Sequence, residues 1–126
     1  MSLQPLSNEE MKIMRHVWLH GPASVRLLHE RMQEEYDVDF RTVQTQLRRL
    51  ESKGYVVSSR EGKNLVYKTK ARKQSVIKKT LGDLVDRLFG GNSAEMMQHM
   101  LSQSDLSAEE IEQLRNMLDQ QEPINE

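Results

Sequence analysis

Arg41, Thr42, Gln44 and Thr45 fall within one five-residue stretch, and each type can hydrogen bond the edge of a nucleic-acid base. An arginine bonds guanine bidentately, a glutamine bonds adenine, and threonine offers a hydroxyl and a methyl that suits thymine. Arg48 and Arg49 follow directly and are expected nearer a phosphate backbone. Arg60 and Lys63 flank a turn-like Glu61-Gly62-Lys63-Asn64 string, while Ser24 and Arg26 open another segment; both pairs are placed to meet phosphates. Two readings remain open for some of these residues. Ser24 serves equally as an ordinary helix cap, and Arg49 could spend its charge on an intramolecular salt bridge.

The surrounding charge favours a polyanion. The net charge of −1 is unevenly distributed: residues 41–79 hold 12 Lys/Arg against only Glu51 and Glu61, between acidic flanks on both sides. Such a localised footprint suits double-stranded DNA. A merely solvated charged face is the bland alternative, and Lys68, Lys70, Arg72, Lys73, Lys78 and Lys79 fit either reading. Catalysis is not expected. The chain shows no Ser/His/Asp arrangement, no phosphate-cradling glycine loop and no cysteine, and the Glu109-Glu110 pair belongs to a helix cap. No cofactor is expected. No apolar run approaches the roughly 20 residues that cross a bilayer, so no membrane insertion is expected. The opening MSLQPLSNEE lacks a signal peptide's basic start and apolar stretch, so a cytoplasmic location is expected.

The elements that must position these side chains are marked by caps and periodicity. Ser7 and Glu10 form a capping box, with Leu6 and Met11 as its hydrophobic staple. Met11, Ile13, Met14, Val17 and Trp18 then trace the packing face of a helix over 8–20, ended by Gly21-Pro22. Ser24 caps a second helix over about 25–35. Asp39 is the expected N-cap of a third, running from Phe40 to about Lys53, whose stripe is only Val43, Leu47 and Leu50. Gly54 closes it in the position that wants a left-handed backbone. The period then switches to strands at 55–60 and 65–69, with 61–64 between them. Three helices followed by a two-stranded ribbon is the winged helix-turn-helix order, with the wing at 60–64.

From about Arg72 the helical period returns. Ile77, Leu81, Leu84, Val85 and Leu88 line one helix, Met97, Met100 and Leu101 a second, and Ile111, Leu114 and Leu118 a third. Asn92 with Glu95, and Ser107 with Glu110, read as their boxes. About 50 residues of short amphipathic helix bury little area by themselves, so these stripes are expected to form a homodimer interface. Folding back onto the same chain is the alternative. The expected fold is mostly α with a small β wing: a winged helix-turn-helix domain at 6–71, a helical dimerisation module at 72–120, and a disordered tail at 121–126.

The strings Ser7 through Trp18, Gly21-Pro22-Ala23-Ser24, Arg41-Thr42-Val43-Gln44-Thr45 with Leu47 and Arg49-Leu50, Lys53-Gly54, Tyr67, Leu88-Phe89-Gly90-Gly91, and Leu106-Ser107 through Leu114-Arg115-Asn116-Met117-Leu118 occur in that order. Together they resemble the penicillinase-repressor (BlaI/MecI/CopY) family of winged-helix regulators, from about residue 6 to 120. The resemblance implies homodimers that bind a palindromic operator and repress, commonly, β-lactamase or copper-handling genes, some under an upstream sensor protein. Three departures stand out. The family's Ser-Pro-Lys-Thr start of the third helix is Asp39-Phe40-Arg41-Thr42 here. The Asn–Phe cleavage point has His99-Met100 nearest to it, and the Cys-x-Cys pairs of the copper branch are missing. The signal is therefore not inherited from the resemblance.

Two other function classes fit parts of the chain. His16 and His20, spaced i, i+4, are surface-type residues that could share a metal ion in a histidine-based regulator. The acidic, methionine-bearing C-terminal part could alternatively serve a dimerising protein-interaction module without DNA binding.

Overall fold

Helix α1 (Asn8–His20) begins at the expected capping box: Ser7 Oγ accepts from the Glu10 N–H at 3.1 Å, and the Glu10 carboxylate accepts from the Ser7 N–H at 2.8 Å. Helix α2 (Val25–Gln33) starts under Ser24, whose Oγ accepts from the Leu27 N–H at 3.1 Å. It ends two residues earlier than the sequence suggests, in a turn where Glu34 and Glu35 donate to Arg31 and Met32. Helix α3 (Phe40–Ser52) has Asp39 in the N-cap position, but the Asp39 side chain makes no capping hydrogen bond. The computed structural model describes residues 3–103 and 105–120, so the tail expected at 121–126 lies outside the described residues.

The end of α3 is fixed by backbone geometry. Gly54 takes φ +86°, its N–H donates to Glu51 O, and the Tyr55 N–H reaches back to Leu50 O at 2.9 Å. That pair of bonds is a Schellman closure, which a residue with a Cβ would strain. It turns the chain directly into the hairpin of β2 (Val56–Glu61) and β3 (Asn64–Thr69). The expected four-residue loop is tighter than the composition suggested: only Gly62 and Lys63 are unpaired, and Glu61 faces Asn64. Gly62 at φ +64° leads this two-residue turn.

One strand carries no sequence signal. Ala23 and Ser24 form β1, pairing with Tyr67 and Val66 of β3, so the sheet is three-stranded and antiparallel in the order β1-β3-β2. Two residues between Pro22 and a helix are too short to show alternation. They pair because β3 offers a free edge beside the start of α2.

The chain divides between Thr80 and Leu81 into two compact units, inside α4 (Lys73–Phe89). In the first unit, Met14, Leu28, Val43, Leu47 and Leu50 are fully buried, with Ile13, Val17, Tyr55, Val56 and Tyr67 around them. The packing face of α1 differs from expectation. Met11 is 37% exposed, whereas the surface-type His16 is buried, as is Glu10. Glu10, Ile13, Met14 and Val17 hold the i, i+3, i+4, i+7 positions, so Glu10 faces inward and Met11 is rotated out.

A buried carboxylate demands a partner. Lys53 Nζ, at the C-cap of α3, lies 2.6 Å from Glu10 Oε1 and also donates to Pro5 O at 3.0 Å. Burial pushes the Glu10 carboxyl up, but the hydrogen bonds from Lys53 and Ser7 and the Lys53 charge outweigh it. The net position is below the usual carboxylate range. This pair ties the start of α1 to the end of α3.

The second unit contains the rest of α4, then α5 (Ser93–Gln103) and α6 (Ala108–Gln120). Of its two expected boxes, Ser107 and Glu110 exchange both bonds at 3.1 Å, while Asn92 makes the cap alone, its Oδ1 accepting from the Glu95 N–H at 3.0 Å. Val85 and Met96 are buried there. Leu81, Leu84, Leu88, Met97, Met100, Leu101, Ile111, Leu114 and Leu118 are exposed.

Candidate nucleic-acid interface

Helix α3 has one narrow buried side and one wide open side. Val43, Leu47 and Leu50 are the only residues of the helix that are fully covered. Each residue advances about 100° around the axis, so Arg41, Thr45 and Arg48 lie opposite that stripe and are exposed. Gln44 and Arg49 sit on its flanks, Gln44 half-buried and Arg49 exposed. Thr42, on the same flank as Arg49, lines an open cleft of about 380 Å³ with Glu9, Lys12, Met32 and Tyr36. Two of its lining residues meet there, Lys12 Nζ lying 4.9 Å from the centroid of the Tyr36 ring.

Phe40, the aromatic residue at the helix start, is 42% exposed. Its ring meets His29 edge-on at 5.6 Å, and His29 Nε2 is held by Val38 O at 2.8 Å. His29, through its ring contact with Phe40 and its Nε2, thus braces the turn before α3.

Ser24 is a strand residue and a helix cap at once, with Arg26 exposed two positions on. Arg60 and Lys63 are exposed on the hairpin, Lys63 in the turn itself. Among the described residues, none of Arg26, Arg41, Arg48, Arg49, Arg60 and Lys63 joins an ion pair. The salt-bridge alternative for Arg49 is thus not realised. Unpaired guanidinium and ammonium groups on one helix and one hairpin are free to neutralise phosphates, which releases counterions and drives association.

Three side chains of this region escaped the sequence reading. Gln46 is half-buried, and its Oε1 has no hydrogen-bond partner. Lys53, which composition counts with the basic segment, spends its charge on Glu10. Glu51 accepts from both the N–H and the hydroxyl of Ser58 on β2, at 3.2 and 2.6 Å. The available signal was the rarity of acids in a basic stretch. Tyr67, fully buried beneath, has its hydroxyl pushed up by burial and by the Glu51 charge, with Arg48 opposing.

The histidine pair has a different character. His16 and His20 stack with ring centroids 5.6 Å apart. His16 is 3% exposed and neither ring nitrogen has a hydrogen-bond partner. The Glu35 carboxylate lies 3.4 Å from Nε2, close enough for attraction but not aligned as a hydrogen bond. Burial pushes the imidazole below its usual range, with Glu35 opposing and His20 and Arg15 assisting. Among the described residues, no group of three or more His, Cys, Asp or Glu could hold a metal ion. No helix among them is long and apolar enough to cross a membrane.

Known proteins fit this geometry. The family model described as penicillinase repressor matches residues 6–120. The methicillin resistance regulatory protein MecI of Staphylococcus aureus is 26% identical over 113 residues, covering 90% of this chain and 92% of that protein. The penicillinase repressor of Bacillus licheniformis is 25% identical over 115 residues, covering 91% and 90%. Among solved structures, the monomeric form of Bacillus licheniformis BlaI in complex with the blaP half-operator superposes with a TM-score of 0.51 at 23% identity. It covers 58% of this chain and 89% of that one, which shows a shared fold.

Proposed function

Because the chain belongs to the penicillinase repressor family, we propose that it is a homodimeric transcriptional repressor acting in the cytoplasm on a palindromic operator in double-stranded DNA. In this reading, residues 6–71 bind DNA, with α3 in the major groove and the β2–β3 wing on the backbone. Arg41, Thr42, Gln44 and Thr45 meet bases. Arg48, Arg49, Arg60 and Lys63 meet phosphates or the neighbouring groove, and Ser24 and Arg26 hold a phosphate at the start of α2. Residues 72–120 dimerise through Ile77, Leu81, Leu84, Leu88 and the open faces of α5 and α6. Val85, also expected at that interface, is buried within its own chain. No catalytic step is assigned, in keeping with a family of repressors.

The observation that carries this reading is the asymmetry of α3: three covered residues against an exposed face of unpaired arginines and hydroxyls. The test is selection of binding sites from random duplex DNA, followed by titration across a salt series. The expected result is a palindromic consensus whose affinity falls steeply with salt, and Arg41→Ala with Gln44→Ala reduces the preference for it. A protein that holds all duplexes equally would refute the proposal. A double variant that leaves operator affinity unaltered would instead favour an interaction module.

A further inference from the structure

Glu51 is one of only two acids among residues 41–79, a segment with 12 Lys/Arg. On the proposed reading it rides on the very helix that approaches a polyanion, where its charge opposes binding. What offsets that repulsion is visible in its contacts. Its Oε2 accepts from the Ser58 N–H at 3.2 Å and from the Ser58 hydroxyl at 2.6 Å.

Ser58 is on β2, an edge strand with β3 on one side only. Counting back from the Glu61–Asn64 pair that closes the turn, Ser58 opposite Tyr67 falls on an alternate position of the ladder. Alternate residues of an antiparallel edge strand point their N–H groups off the sheet. Glu51 therefore occupies the one side from which this donor can be held. Lys63 is five positions beyond Ser58, three of them along β2 at about 3.3 Å per residue and the rest in the turn, so the tip lies roughly 15 Å away. A tilt of roughly 10° at Ser58 moves the hairpin tip by roughly 3 Å, enough to break a phosphate contact of about 2.9 Å.

We propose that Glu51 is a positioning residue, a clamp that fixes the wing against α3 so that Arg60 and Lys63 reach the backbone in register with the helix. The clamp rests on the repressor reading and adds the coupling between its two contact surfaces. It acts through Ser58 and touches no DNA.

The test is a double-mutant cycle on the full chain, read on a duplex selected by the wild type. In the wild type, Arg60→Ala with Lys63→Ala is expected to weaken binding about 30-fold and to lower the salt slope by about 2, the value for two lost phosphate contacts. In a Glu51→Ala background the same pair is expected to cost less than about 3-fold, because the wing is already out of register. Glu51→Gln, which keeps an acceptor, is expected to retain most of the coupling, and Ser58→Ala to lose part of it. A general loss of stability would lower all affinities without removing this coupling. Equal costs in both backgrounds would overturn the clamp, as would tighter binding of every duplex by Glu51→Ala, the signature of charge removal alone. A wild type that selects no duplex would overturn the repressor reading and the clamp together, a result distinct from either.

Discussion

Residues up to Thr80 and residues from Leu81 onward are written in the same amphipathic code, and they use it to opposite ends. In the first unit the stripes of α1, α2 and α3 meet one another and the sheet, and Met14, Leu28, Val43, Leu47 and Leu50 lose all contact with solvent. In the second, the stripes of α5 and α6 are equally regular, yet Met97, Met100, Leu101 and Leu118 are more than half exposed, as is Leu88 at the end of α4. The caps are matched too: Ser7 with Glu10 and Ser107 with Glu110 make the same box at the same distances, within 0.3 Å. Local signals therefore specify a helix and its apolar side, but not what covers that side. A sheet with a turning hairpin gives the first unit a third layer to close upon, and the second has helices alone.

The comparison is broken most severely by emptying the covered core. Leu47→Ala is expected to cost about 3 kcal/mol, seen as a lower urea midpoint in equilibrium unfolding, and to abolish DNA binding with it. The next largest effect separates the two units. Leu114→Asp leaves a chain whose secondary structure by circular dichroism is unaltered, because Leu114 is already 37% exposed. On the proposed reading it converts a dimer to monomer in analytical ultracentrifugation and weakens operator binding about 100-fold. Dimer retention by this variant would show that the open faces are not the interface.

A smaller effect concerns acid. The His16 imidazole lies below its usual value of 6.5 in the folded chain, so the unfolded chain binds the proton more readily. Its contribution to stability is then present above about pH 6.5 and is lost as pH falls from there toward the folded value. Glu10, held below the usual 4.5, adds a second loss only beneath that. Thermal melting from pH 7.5 to 5 is expected to show a decline in the wild type that is flattened in His16→Gln. An unchanged decline would place the titration elsewhere. The smallest effect is the most direct comparison: Ser7→Ala and Ser107→Ala each remove one cap, worth about 1 kcal/mol. Ser7→Ala is expected to lower the melting temperature at any protein concentration. Ser107→Ala is expected to act more strongly in dilute protein, where mass action would no longer support the proposed dimer.

Much of this was legible in advance because the signals are local. Ser7, Ser24, Gly54 and Ser107 mark ends of helices through bonds to residues three or four positions away, and Val43, Leu47 and Leu50 announce a packed side by spacing alone. The change of period after Gly54 revealed the hairpin, and the order of elements gave the winged arrangement. The basic segment was visible by counting.

What only the tertiary structure decided are relations between residues far apart in the chain. β1 exists because β3 lies beside it, although Ala23 and Ser24 have no strand character of their own. Glu10 is buried because Lys53, 43 residues away, meets it. Lys53 is thereby withdrawn from the basic surface to which composition had assigned it. His16 is inside rather than out, 3.4 Å from the Glu35 carboxylate in the turn after α2, and Glu51 faces Ser58 because the Schellman turn swings the wing back along α3. Periodicity reports which side of a helix is apolar. Only the packed fold reports which polar groups are drawn in with it and which partner offsets the loss of water.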